Sequence, residues 1–102
     1  MVTEVNDVSA LSEGNVLVDF YTRTCGPCNQ MNPILEEISE EYANVKVAKV
    51  DVARNPGVSQ MFGIMSVPTI IFMKNKHVKE IIRGLSNKKA LTSMIKNCID
   101  EK

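Results

Sequence analysis

The order of strand-like and helix-like segments limits the folds open to this chain. Residues 16–21 and 45–52 are rich in β-branched and apolar side chains, which favour strands buried on both faces. Between them, residues 28–43 carry apolar side chains at helical spacing, with glutamates mostly on the opposite side. A helix between two buried strands is typical of a parallel α/β unit. We therefore predict an α/β fold.

Shorter segments flank this unit. Residues 2–6 suit a short edge strand, and Asp7 or Ser9 can cap a brief helix that ends at Gly14. Residues 55–57 (NPG) combine an N-cap with a proline in the first helical position, so they predict the start of a second short helix.

The rest of the sequence predicts a hairpin and a last helix. Residues 69–73 and 78–83 read as antiparallel strands around a short polar turn. Ser86 or Asn87 can cap the helix that follows. A length of 102 residues suits one core, so we expect residues 1–102 to form a single domain.

Charge and hydropathy argue against several classes of protein. Twelve Lys and Arg balance twelve Asp and Glu, so no net field attracts a nucleic-acid backbone or an anionic membrane. No apolar stretch approaches the ~18–20 residues that span a bilayer, and residues 1–10 lack the basic and apolar regions of a leader. We therefore expect a cytoplasmic protein with neither nucleic-acid nor membrane partners.

Two of the three cysteines form a C-x-x-C motif where a predicted strand meets a predicted helix. Residues three apart in a first helical turn share a face, which allows a disulfide between Cys25 and Cys28. The helix N-terminus stabilises an anion, so Cys25 is the expected nucleophile. Cys28, deeper in the helix, is expected to keep its proton better and to attack a mixed disulfide. The motif therefore predicts thiol–disulfide exchange.

Two other interpretations of the motif stay open. Four-coordinate zinc needs further ligands, and only Cys98 and His77 remain, at unrelated spacing. A purely structural disulfide is the second alternative, although its ring is too short to restrain much of the unfolded chain. Cys98 falls on the apolar side of the last predicted helix and is expected to be a small buried hydrophobe. We expect no metal and no cofactor.

In order and in spacing, these segments resemble the thioredoxin family. The resemblance covers essentially the whole chain and rests on residues 18–21 (VDFY), 24–28 (TCGPC), 47–51 (VAKVD), 55–57 (NPG) and 66–69 (SVPT), with Pro33 and Gly84. It implies a central mixed sheet of four to five strands flanked by helices on both faces. It also implies a general reductase of disulfides in client proteins, itself kept reduced by a thioredoxin reductase. We expect the protein to be a monomer.

The resemblance gives a role to an acid in an apolar strand. Burial should raise the pKa of Asp19 toward the range in which it exchanges protons near neutral pH. By resemblance, Asp19 assists proton transfer to and from Cys28, and Lys49 is the lysine that pairs with it. The alternative is that Asp19 caps a neighbouring backbone group while Lys49 extends into solvent.

The resemblance also implies a client-binding surface. Pro68 matches the cis-proline that faces the cysteine pair in the family, and Val67 matches the residue whose backbone bonds to an extended client segment. Gly84 would leave room for that segment, and Gly26 and Pro27 complete the surface between the cysteines.

Several positions depart from the family's pattern, among them the residues directly before and after the cysteine motif, Thr24 and Asn29. Thr24 stands where the family most often has tryptophan, which is expected to change the thiol pKa and the choice of reductase or client. A dedicated donor to one client and a non-catalytic binding module of the same fold are therefore kept as alternatives. The intact cysteine pair argues against the binding module.

Overall fold

A computed structural model describes residues 2–11 and 13–99; residues 1 and 100–102 of the predicted domain, and residue 12, lie outside the described residues. Within those ranges the chain forms five strands and three α-helices. They are β1 (Val2–Glu4), β2 (Asn15–Tyr21), α1 (Gly26–Glu41), β3 (Val45–Asp51), α2 (Pro56–Met61), β4 (Thr69–Lys74), β5 (His77–Arg83) and α3 (Lys88–Ile99). A 3-10 turn, Val8–Leu11, links β1 to β2.

The five strands form one mixed sheet in the order β1-β3-β2-β4-β5. β3 pairs in parallel with both β1 and β2, whereas β4 is antiparallel to β2 and to β5. The parallel pair β2 and β3 is joined through α1, because parallel strands need a crossover connection. This confirms the predicted mixed α/β sheet, at the upper end of the predicted number of strands.

Helices cover both faces of the sheet because β2 is apolar on both sides. Leu17 belongs to a core cluster with Leu35 of α1 and Leu91 of α3. The alternate residues Val16, Val18 and Phe20 belong to a second cluster, against which part of α2 packs. Since successive side chains of a strand point to opposite faces, one continuous apolar run serves two cores.

The structure decides between the predicted helix caps. The Asp7 carboxylate accepts from the Ser9 N–H at 3.0 Å, and the 3-10 turn ends at Leu11, earlier than the predicted end at Gly14. Asn87, rather than Ser86, caps α3, because its Oδ1 accepts from the Ala90 N–H at 2.8 Å.

The predicted hairpin is formed by β4 and β5, with Asn75 and Lys76 in its turn. Both turn residues have positive φ, 49° and 76°, the conformation that two-residue hairpins prefer. The Asn75 side chain also accepts from the Gly14 N–H at 3.1 Å, which ties the turn to the residue before β2.

Candidate active site

The cysteine pair and the expected client-binding residues lie at the same end of the sheet. Cys25 follows the carboxyl end of β2, where α1 begins. β4, antiparallel to β2, starts directly after Pro68, and its own antiparallel partner β5 ends directly before Gly84. The end of one antiparallel strand lies beside the start of the next. The cysteines, Val67–Pro68 and Gly84 therefore lie at the same end of the sheet.

The cysteine pair occupies the first turn of α1. Cys25 is the N-cap residue, and its Cα lies 5.2 Å from that of Cys28 in a disulfide. The Cys28 N–H donates to the Cys25 Sγ at 3.1 Å, so this sulfur faces free donors of the helix N-terminus. Cys28 is 1% exposed, whereas Cys25 is partly exposed. Of the two cysteines, only Cys25 is therefore open to another molecule.

Asp19 is completely buried, and neither of its carboxylate oxygens has a hydrogen-bond partner in the described part of the chain. It faces α1, because Leu17, two residues earlier in β2, packs in the same cluster as Leu35 of α1. Burial raises the pKa of Asp19 to about 7; the Lys49 charge partly offsets this, and the Glu4 charge adds to it. The alternative that Asp19 caps a backbone group is therefore wrong.

Lys49 lies beside Asp19 in the register of β2 and β3. Its ammonium donates to the Asn32 Oδ1 at 2.8 Å and lies 4.2 Å from the centre of the Tyr21 ring. The Tyr21 hydroxyl in turn donates to the Glu4 carboxylate. The predicted pairing of Lys49 with Asp19 is thus an interaction of charge, while the hydrogen bond of Lys49 goes to α1.

Sequence reasoning missed the contributions of Glu4 and Asn32 to this cluster. Glu4 lies beside Lys49 because of the register of β1 against β3. No pattern in the sequence predicts that register. Asn32 is a polar residue on a helix whose predicted inner face was otherwise apolar. A polar residue one turn beyond the second cysteine was the only signal available.

The expected client surface contains a cis-proline and two glycines with open space around them. The Val67–Pro68 peptide bond is cis, as the resemblance implied, and the Pro68 carbonyl accepts from the Gly84 N–H at 2.8 Å. A Cβ added at Gly26 or at Gly84 would meet no atom within 4 Å. The space beside the cysteine pair is therefore free of side chains at both glycines.

Within the described residues, the candidate metal ligands are not grouped. Residues 2–11 and 13–99 contain no group of three or more His, Cys, Asp or Glu side chains that could hold a metal ion. Cys98 is buried on α3, where its Sγ lies 3.7 Å from the Glu80 Oε2, and His77 begins β5.

Across residues 2–11 and 13–99, no helix has the length and hydropathy to cross a membrane.

A cysteine pair within one helical turn can open and close without refolding, so it can exchange two electrons with another disulfide. The chain is a dithiol–disulfide oxidoreductase. The family model of thioredoxin matches residues 3–97. The chain belongs to the thioredoxin family.

Known relatives agree with this placement. Thioredoxin of Listeria monocytogenes is 42% identical over 99 residues, covering 93% of this chain and 96% of the relative. Thioredoxin of Rickettsia typhi is 39% identical over 105 residues, covering 97% and 100%. A point mutant of a thioredoxin from Halobacterium salinarum superposes with a TM-score of 0.88 at 30% identity, covering 94% and 88%. The oxidised mitochondrial thioredoxin 3 of Saccharomyces cerevisiae gives 0.85 at 27% identity, covering 94% of each chain.

Proposed function

We propose that the chain is a general reductase of protein disulfides in which Cys25 attacks and Cys28 resolves. The observation that carries this assignment is the difference in exposure, since Cys25 is accessible and Cys28 is 1% exposed. The Cys25 thiolate attacks one client sulfur, forms a mixed disulfide and releases the other client sulfur as a thiolate. The Cys28 thiolate then attacks the Cys25 sulfur and releases the second client thiolate. The client gains two electrons, and the Cys25–Cys28 disulfide forms.

Asp19 takes the proton that Cys28 must lose before it attacks, and returns it when the pair is reduced again. Support comes from its complete burial on the face that α1 covers and from a pKa raised to about 7 by that burial. A group that titrates near neutral pH can both accept and donate a proton there. Lys49 lies beside Asp19 in the sheet, and its positive charge lowers this pKa.

The client binds as an extended segment across Gly26, Pro27, Val67, Pro68 and Gly84. Val67, Pro68 and Gly84 flank strand ends on the side of the sheet where α1 begins with Gly26 and Pro27. This placement and the open space at both glycines support the surface. Main-chain hydrogen bonds to Val67 would hold many different client sequences, which suits a general reductase.

A thioredoxin reductase resets the pair, and the protein works as a single monomeric domain in the cytoplasm. A reducing compartment keeps such a pair in the dithiol form that the proposed reaction consumes. The exposed edge strand β5 supports the monomer, because Lys79, Glu80 and Arg83 on it oppose pairing with another sheet.

Reduction of insulin by dithiothreitol, with and without the protein, tests the proposed activity. Wild type should accelerate the reaction, and Cys25→Ser should not. A wild type that adds nothing to dithiothreitol contradicts a general reductase and favours a dedicated donor. Cys28→Ser should accumulate covalent client adducts through Cys25 on nonreducing gels; adducts that depend on Cys28 instead would reverse the two roles.

A further inference from the structure

Three charged residues form a row across three neighbouring strands. Glu4 of β1 is paired with Lys49 of β3, and Lys49 is paired with Asp19 of β2. Residues paired in this way on adjacent strands point to the same face of a sheet. Lys49 therefore lies between two carboxylates, one buried and one near the sheet edge.

Tyr21 and Asn32 each hold one member of this row: Tyr21 holds Glu4, and Asn32 holds Lys49. Tyr21 follows Asp19 by two residues in β2 and shares its face, and its hydroxyl donates to Glu4 two strands away. Its ring lies against the Lys49 ammonium, with 4.2 Å from Nζ to the ring centre. The directional hydrogen bond of Lys49 goes to Asn32 of α1, at 2.8 Å, whereas the oxygens of Asp19 accept none from the described residues.

We propose that Glu4 is a positioning residue for the redox reaction: held by Tyr21, it shares the Lys49 ammonium with Asp19 and so leaves Asp19 able to carry the proton of Cys28. Asn32 assists by binding the same ammonium from the helix side. This inference rests on the proposed role of Asp19.

The electrostatic reason follows from the order of charges in the row. An ammonium committed to Asp19 alone would stabilise its ionised form, and an ionised Asp19 has no proton to return to Cys28. The second carboxylate acts in the opposite direction, in agreement with the sign of the Glu4 effect on the pKa of Asp19. Glu4 and Lys49 therefore shift the pKa of Asp19 in opposite directions, and the balance between them keeps this pKa close to neutral pH.

A further carboxylate shares this face of the sheet: Asp51, two residues beyond Lys49 in β3, forms an ion pair with Arg23 at 3.5 Å. The neighbour of Asp19 on β4 is the apolar Ile70. α1, which covers this face, contributes Cys28 near its start and Glu36 further along. Glu4, Asn32, Glu36 and Lys49 line a surface crevice, so the outer end of the row is open to solvent protons.

Glu4→Gln tests the proposal because it removes the charge and keeps an oxygen that can accept from Tyr21. In the reduced protein, carbon-13 NMR titration should show the pKa of Asp19 lowered by about half a pH unit. The pH midpoint of the insulin-reduction rate should fall with it. Lys49→Met should move both midpoints upward, and Glu4→Asp, which keeps the charge, should restore the wild-type values.

Glu40→Gln is the matched control, because Glu40 lies on α1 and does not line the crevice. It should leave both midpoints in place. Tyr21→Phe supplies a second measurement, since release of Glu4 should also lower the pKa of Asp19. If neither Glu4→Gln nor Tyr21→Phe moves that pKa, the inference is wrong and the proposed function stands. If Asp19→Asn leaves the pH dependence of the rate unchanged, the proposed role of Asp19 itself is wrong.

Discussion

Gly84 follows β5 with a φ of +90°, a region of backbone space that residues with a Cβ rarely occupy. Since a Cβ there would meet no atom within 4 Å, the expected cost of Gly84→Ala is conformational, about 1–2 kcal/mol in the free energy of unfolding. Gly57 of α2 also has open space but lies outside that region, so Gly57→Ala should stabilise by about 0.5–1 kcal/mol. Urea unfolding of both variants measures the contrast. Equal stability of the two variants would contradict it.

At the scale of single residues, the sequence identified the groups whose chemistry is unusual for their surroundings. The sequence alone shows a cysteine pair at a strand-to-helix junction and an aspartate, Asp19, inside an apolar run. Glu4 and Asn32 do not stand out in this way, because a glutamate in an edge strand and an asparagine in a helix are ordinary until register and packing bring them to Lys49. Contacts between elements distant in sequence, β1 with β3 and α1 with β3, are therefore what the sequence alone did not reveal.

At the scale of elements, the cap of α3 gives a direct test. Asn87→Ala removes the oxygen that accepts from the Ala90 N–H, so we expect a loss of about 1 kcal/mol in the free energy of unfolding. Ser86→Ala is the control, because Ser86 lies outside the cap position, and it should change stability by less than about 0.5 kcal/mol. The pair can be compared by urea unfolding. A larger loss in the control would assign the cap to Ser86.

In the hairpin turn, a substitution is expected to increase the stability of the protein. Lys76 has a φ of 76°, which glycine adopts without the strain that a Cβ brings. Lys76→Gly should therefore raise the free energy of unfolding by about 0.5–1 kcal/mol. Lys76→Ala keeps the strain and should bring no gain. Thermal or urea unfolding of the two variants separates the effect of conformation from the effect of charge.

Periodicity predicted the elements well and their ends less well. The helix expected over residues 28–43 spans Gly26–Glu41, because Cys25 supplies the N-cap and Pro27 needs no donor in the first turn. The helix expected to end at Gly14 is a 3-10 turn that ends at Leu11. Patterns of burial extend over whole elements, whereas ends depend on single hydrogen bonds.

For the whole molecule, the burial of Asp19 links stability to pH. The pKa of Asp19 is raised from 3.8 to about 7 on folding, so the folded state binds more protons than the unfolded state between these values. The stability associated with this group is complete below about pH 4 and is lost as pH rises toward 7. Over that window the loss is on the order of 4 kcal/mol.

Asp19→Asn should remove this dependence, because asparagine does not titrate. The variant should therefore gain stability relative to wild type between about pH 4 and pH 8, by on the order of 4 kcal/mol. Urea unfolding at both pH values, with the cysteines in the same redox state, measures the gain. The constant cost of a buried amide cancels in the comparison between the two pH values. An identical pH slope in both proteins would show that Asp19 is already ionised in the fold.

The near-complete burial of Cys28 also has a kinetic consequence. In the proposed sequence of steps, outside molecules reach only Cys25, and the bond to the client is then broken from within the same helical turn. Resolution is thus a first-order event with a high effective concentration of the attacking sulfur. The lifetime of the covalent complex would be the same in dilute and in crowded solution, while the rate of its formation would follow the amount of client present.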